Sequence, residues 1–457
     1  GAGRWLLAAL LLGAAHSPCG GESAMRPEVR YFEMTPKLVP ADRESTITIR
    51  PRFGHVRFEE GAAYEVRHVQ ADRGPLPGEP GEAPVRAKAE NGVLRFSRYF
   101  ADEQEHSLLV DRVVGDERRR VGDFRVYSLR DDLYRRRPYK GDMHMHSSYS
   151  DGVESPGYVA AACRRIGLDF MALTDHRRYA PSLEAQQAFR QAPVDLCIYP
   201  GEEVHPPNSP VHIVNFGGRF SVNERFADPA ALQEVEAIAA GLPELPPGVD
   251  RYYYASAVWS FDRIREGGGL AIFCHPDWFS ANRYDLPQPT AAYILDQQPF
   301  DAYELIGGYA RSESFSNVRQ VARYGELLAK GRPLPIVGVS DAHGCESGEL
   351  FGWYYTVVFS PSTDLPDLVK SIKDTYSVAV EALTGEQVHV YGPLRLVGYT
   401  FFLLREVFPQ HDQLCMQEGL LMLDLLAGRA TATEELRLRQ GDAARLYAGF
   451  WGEAASR

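Results

Sequence analysis

The rhythm of apolar residues changes at Lys140, and that change decides the fold class. From Lys140 to Phe359 short apolar runs alternate with helical stretches, the pattern of an α/β fold with a mainly parallel sheet. Strands are predicted at Gly141 to His146, Asp169 to Thr174, Leu196 to Pro200, Val211 to Phe216, Leu270 to Cys274, Phe300 to Ile306, Pro335 to Val339 and Trp353 to Phe359. Helices fit between several of them. Ser155-Pro156 offers an N-cap and a first-turn proline for a helix from Tyr158 to Ile166, with Gly167 as its stop. Further helices are predicted at Val258 to Glu266 and Leu365 to Thr375. Seven or eight strand–helix units of this kind predict a barrel.

The residues before Lys140 follow another pattern. Between 26 and 132, alternating runs at Val29 to Met34, Ser45 to Arg52, Ala63 to Val69, Val93 to Tyr99, Ser107 to Val114 and Val121 to Leu129 are broken by Pro, Gly and Asp. They predict a β-sandwich. Arg130 to Pro138 reads as a linker, whose Arg135-Arg136-Arg137 run is a solvated surface or an anion site. The stretch 391–457 reads as a helical extension packed outside the barrel, which leaves 139–390 as the catalytic unit.

The apolar run Trp5 to Ala15 behind Arg4 has signal-peptide length and is too short to span a bilayer. Residues 1–25 are read as a signal-like or spurious extension, with Met25 opening the protein. Six scattered cysteines without a C-x-x-C predict free thiols and a cytoplasmic location. The formal charge of −12 argues against general nucleic-acid binding, which needs clustered Lys and Arg, but leaves room for a small anion in a local positive pocket.

The chemistry lies in the histidines. Of 13, six fall beside carboxylates at predicted strand ends: His144, His146, His176, His212, His275 and His343. Parallel barrels gather their active sites at the carboxyl ends of the strands, so these ends converge. His144 and His146 are two apart and share a strand face, as do Asp341 and His343. Glu202 and Glu203 alternate, so one of them faces the pocket, and the G-x-E spacing selects Glu203. His212 is preferred over His205 as a ligand because it opens a strand. Asp151, Glu203 and Asp341 together would be untenable in one buried pocket without cations. The mixed imidazole and carboxylate set suits Zn, Mn or Fe.

The ordered motifs HMH…SDG (144–152), TDH (174–176), GEE (201–203), His212, HP (275–276) and SDAH (340–343) resemble the polymerase and histidinol phosphatase (PHP) superfamily. The β module and the GEEVH…HIVNFGG segment look more like its carbaryl-hydrolase and microcin-maturation subgroup. The resemblance implies a distorted (β/α)7 TIM-like barrel with two or three divalent metals. It puts His144, His146, Glu203 and Asp341 on one metal, with Glu203 bridging to a second held by His212 and His275. Asp151, His176 and His343 would hold a third, and some relatives carry histidine at the position of Asp151. The implied reaction is hydrolysis of a small phosphate ester by a hydroxide bridging metals about 3.5–4 Å apart. Phosphomonoesters, phosphodiesters and nucleotides all qualify, and the alternative is a carbamate, ester or amide. Arg177 and Arg178 are candidates to clamp the anion, and His205 to protonate the leaving group.

Other features read more plainly. Cys274 and Cys345 are expected to pack, with Cys274 alternating away from His275; Glu304 either supports the site or anchors a loop. Tyr252-Tyr253-Tyr254 reads as aromatic packing or a lid within a Pro-rich insertion. His16, His55, His68, His106, His389 and His411 are expected to be surface or core histidines.

Overall fold

The computed structural model describes residues 25–74 and 81–453; the expected N-terminal extension lies outside them, apart from Met25. Among the described residues no helix is long and apolar enough to cross a membrane.

The first region holds the six expected strands and two more, Leu38–Pro40 and Val85–Glu90. All eight follow one hydrogen-bonded order rather than two separate sheets. The strand Val85–Glu90 makes the join, pairing with Ala63–Gln70 at one end and Val93–Phe100 at the other. Ile47, Ile49 and Phe96 from one wing share an apolar cluster with Val66, Leu108 and Phe124 from the other, so the sheet curls around its own core. The predicted start of the first strand is instead a short helix, Pro27–Tyr31, with proline in its first turn. Of the arginine run, Arg135 is exposed, whereas its two neighbours are partly buried. Arg136 lies over the Tyr376 ring at 3.9 Å and Arg137 over Trp451 at 4.1 Å, so both tie the linker down.

The second region is mixed α/β, and apart from a two-stranded ribbon, Phe279–Ser280 with Arg283–Tyr284, its strands form two curled sheets. One runs Cys197–Tyr199, Phe170–Ala172, Arg137–Asp142, Tyr354–Ser360, Ser377–Glu381 and His389–Tyr391; the other runs Gly201–Val204, Ile213–Phe216, Leu270–Phe273, Ala302–Ile306 and Ile336–Gly338. Phe170–Ala172 is parallel to both its neighbours, as is Ala302–Ile306. The rest is more antiparallel than expected. Val204 and Ile213 are too close in sequence for a parallel crossover, which needs about a dozen residues, so they form a hairpin. Two single bridges, Met145↔Ala342 and His176↔Glu203, connect the sheets. Met143, Ile272, Cys274, Ala302 and Val337 belong to one buried apolar cluster between them.

Helices cover the outside. Asp250 caps the helix Arg251–Glu266 by accepting from the Tyr253 amide at 2.9 Å, which draws the three tyrosines into its first turn. Tyr254 is buried against the apolar layer and the Tyr252 hydroxyl donates to Pro207 O, so these rings pack rather than form a lid.

The C-terminal helices Leu394–Glu406, Phe408–Leu426, Ala432–Arg439 and Asp442–Trp451 dock through a buried ionic network. Arg164 donates to Glu418 at 2.8 Å and to Asp169 at 3.1 Å; His411 meets Asp169 at 2.8 Å; Lys140 donates to Asp412 at 2.8 Å. Burial works against a charge on His411, and Asp169 outweighs it, holding the imidazole well above its ordinary range. Gly419 permits the close approach, because a Cβ there would sit 2.5 Å from the Arg165 Cα. Glu418→Ala leaves the buried guanidinium with Asp169 and the Leu168 carbonyl alone, and is expected to lower the unfolding free energy by about 3 kcal/mol in urea titrations. The double variant Arg164→Met with Glu418→Leu should recover most of that loss.

Candidate metal centre

Past Asp142 the first strand of this region continues as extended chain. Met145 points into the apolar layer and the flanking His144 and His146 point the other way, as a period of two requires. Asp142 accepts from the amides of His144 at 3.2 Å and Ser340 at 3.1 Å, holding two ligand-bearing ends side by side. Asp175 does the same for the loop after His146, accepting from the Ser147 amide at 2.9 Å and the Ser150 hydroxyl at 2.7 Å. Neither anchor was singled out in the sequence, although both belong to its motifs.

Glu202 and Glu203 face opposite ways. Glu202 turns from the histidines to Ser221 at 2.7 Å and Asn223 at 2.9 Å, while Glu203 sits among the imidazoles. Its carboxylate lies 2.9 Å from His212 Nδ1, 3.3 Å from His275 Nε2 and 3.6 Å from His144 Nε2, and it also pairs with His176 Nδ1. Asp341 lies 2.8 Å from His146 Nε2 and 3.2 Å from His144 Nε2. Asp151 lies 3.3 Å from both His176 Nε2 and His343 Nε2. The nine residues expected to converge do so. The backbone bends sharply to allow it: Asp341 has φ 50° and His275 φ 21°, values that L side chains rarely adopt.

His205 joins this set, which its place in the sequence had left open. Its Nε2 lies 3.3 Å from Glu203 and 3.0 Å from His176 Nδ1, and its ring stacks on His212 at 3.9 Å. Arg177 and Arg178 are exposed on the rim of a cavity of about 700 Å³ that opens over Asp151, His176 and His205. Cys274 packs in the buried apolar cluster, as expected, and it also forms a donor group with His144 and Glu304.

The electrostatics are lopsided. Among the described residues every ion pair of Asp151, Glu203 and Asp341 is with histidine, never lysine or arginine. Burial opposes ionisation of Glu203, yet His212 and His144 hold its carboxyl well below the usual range. Burial opposes a charge on His275, and the Glu203 hydrogen bond with nearby carboxylates raises it to about 9. His212 goes the other way: burial outweighs Glu203 and lowers it to about 4. Polar atoms are also left over. His144 Nε2, His146 Nδ1, His212 Nδ1 and Glu203 Oε2 are buried without a hydrogen bond of acceptable geometry.

These orphaned donors fit a divalent metal. Three groups each bring ligand atoms within 4.8 Å of one another: His146, Asp151, His176 and His343; His144, His146 and Asp341; and His144, Glu203 and His275. Each mixes imidazole nitrogen with carboxylate oxygen, the chemistry of Zn, Mn and Fe sites.

No family model matches the chain. Over 133 residues it is 40% identical to the DNA polymerase/3'-5' exonuclease PolX of Bacillus subtilis (strain 168), spanning 28% of this chain and 22% of that protein. A two-domain protein from Bacteroides vulgatus ATCC 8482, described as containing a predicted PHP-like metal-dependent phosphoesterase, is 18% identical with a TM-score of 0.37. That match covers 54% of this chain and 65% of the other. An amidohydrolase from Chromobacterium violaceum, with bound SO4 and no metal, is 20% identical with a TM-score of 0.28, covering 45% and 87%.

The PHP resemblance stands. The motifs that carry it in the sequence are those whose side chains meet in this cleft.

Metal should stabilise the fold through this site. A ligand at a hundred times its dissociation constant adds about 2.7 kcal/mol, so Mn2+ or Zn2+ is expected to raise the melting temperature of chelator-treated protein. Glu203→Gln should abolish most of that rise in a thermal-shift titration.

Proposed function

We propose that this chain is a metal-dependent hydrolase, and specifically a phosphoesterase acting on small phosphomonoesters or phosphodiesters, nucleotides included. The observation that carries the reading is the meeting of three carboxylates and six imidazoles in a cleft where those carboxylates have no basic partner. On this reading His144, His146, Glu203 and Asp341 hold one cation. Glu203, His212 and His275 hold a second, and Asp151, His176 and His343 a third. Zn, Mn and Fe are the metals the donor set suits. When bound, such cations supply Lewis acidity and a water nucleophile at neutral pH.

The chain's own residues do the rest. Arg177 and Arg178 stand at the rim, and their forked N–H groups match phosphate oxygens. His205 is the group placed to give a proton to the departing oxygen: it lies in the wall shared by the 700 Å³ cavity and an adjoining one of about 460 Å³. Asn223 accepts from the His205 amide at 3.0 Å and donates to Glu203 O at 2.9 Å, which holds the two side by side. Loaded cations outweigh the three carboxylates, so the cleft draws anions despite the acidic chain.

Protein purified without chelator is expected to contain metal and to release phosphate from a nitrophenyl phosphate or a phosphodiester. Treatment with 1,10-phenanthroline should remove the activity, and Mn2+ or Zn2+ should restore it. Full turnover after the metal is gone would end this reading, and turnover of a naphthyl carbamate alone would change the bond cleaved. His205→Ala should cost about 10²-fold in kcat on an alkyl phosphate, whose leaving group needs a proton. On nitrophenyl phosphate, whose leaving group needs none, the loss should be small.

A further inference from the structure

Behind the cleft, one buried carboxylate has no part in the ligand assignments. Glu304 is fully buried in the middle of the strand Ala302–Ile306. Its Oε2 lies 3.1 Å from His144 Nδ1, and its Oε1 is buried without a hydrogen-bond partner. The other ring nitrogen, His144 Nε2, faces Asp341 at 3.2 Å and Glu203 at 3.6 Å. One imidazole thus stands between a carboxylate at its back and the proposed metal ligands in front.

The surrounding backbone is built to hold that carboxylate there. Pairing with Ile336–Gly338 shifts register between Glu304 and Ile306, an irregularity of the kind that re-aims a side chain. Gln320 on the helix Phe315–Ala329 donates to Glu304 O at 3.1 Å and Leu305 O at 3.0 Å, and the Gly307 amide donates to Asn317 at 3.0 Å. At Gly307 a Cβ would fall 1.7 Å from Val339 O, so only glycine lets this strand end lie so close to the one that carries Asp341. Cys274 completes the surroundings of His144 on this side.

We propose that Glu304 is the positioning residue of His144. It accepts the Nδ1–H, which fixes the ring orientation and the tautomer that presents an Nε2 lone pair to a cation. The proposal rests on the metal-dependent reading above. A neutral imidazole can offer a lone pair on one nitrogen only when its proton is on the other, so an acceptor fixed behind Nδ1 selects the ligating form. Carboxylate–histidine–metal arrangements of this kind also raise ligand basicity. The unpaired Oε1 is tolerable in this role, since the charge is shared with an imidazole that is itself drawn towards a cation.

The test is Mn2+ titration of chelator-treated full-length protein, followed by metal analysis at saturation, for wild type, Glu304→Ala and Glu304→Gln. Glu304→Ala should weaken Mn2+ binding by about 10–100-fold while keeping the wild-type number of equivalents at saturation. Glu304→Gln keeps an acceptor oxygen and should recover most of the affinity. Imidazole 15N spectra of the metal-free proteins should show His144 protonated at Nδ1 in wild type and mixed in Glu304→Ala. Unchanged affinity in Glu304→Ala overturns the proposal, as does loss of a whole equivalent of metal, which would make Glu304 a ligand. A variant that shifts only the metal-free melting temperature overturns it too, as a purely structural role. Wild type that binds no Mn2+ but shows the expected tautomer change leaves the positioning intact and refutes the metal reading instead.

Discussion

Glu203 is the interaction around which the cleft is arranged. Its two oxygens lie within 3.7 Å of nitrogens from six histidines, brought from five separate stretches of chain. A buried carboxylate normally finds a guanidinium or the amides of a helix start. This one finds only imidazoles, which neutralise it by becoming charged themselves or by sharing a cation. Without a cation the shifts run in opposite directions, with carboxylates raising His275 and burial lowering His212. A divalent ion removes the conflict, because each ring can then stay neutral and offer a lone pair.

Much of this was legible in the sequence, for a definite reason. Metal-binding side chains at strand ends leave period-two spacings such as His144-x-His146, and alternation with the G-x-E spacing chose Glu203 over Glu202. Alternation says less about Cys274, which packs in the apolar layer as expected yet also lies beside His144 and Glu304. The parallel barrel was expected from the beat of strands and helices, but the short span between Val204 and Ile213 made an antiparallel hairpin, and the strands form separate sheets. Contacts between distant segments stayed hidden for the same reason. Nothing local ties His411 to Asp169, or Arg136 to the ring of Tyr376.

The supporting parts are held by charge and cation–π contacts as much as by apolar burial. Lys37 donates to Glu406 O at 2.9 Å from the first curled sheet, and Arg395 on the same C-terminal helix grips Glu103 at 2.7 Å and Asp132 at 2.7 Å. These ties run from the first region through the linker to the terminal helices. The β region is therefore fastened to the second region by direct ionic contacts rather than loosely tethered.

Among the described residues two isolated β-bridges lie between the sheets, and both involve the cleft's own residues. One seam joins His176 to Glu203; the other joins Met145, between two imidazoles, to Ala342, between Asp341 and His343. A cation gripped across either seam would work as a clasp on a split hoop, closing the curved wall at its thinnest places. Loading of the centre would then also brace the wall that surrounds it.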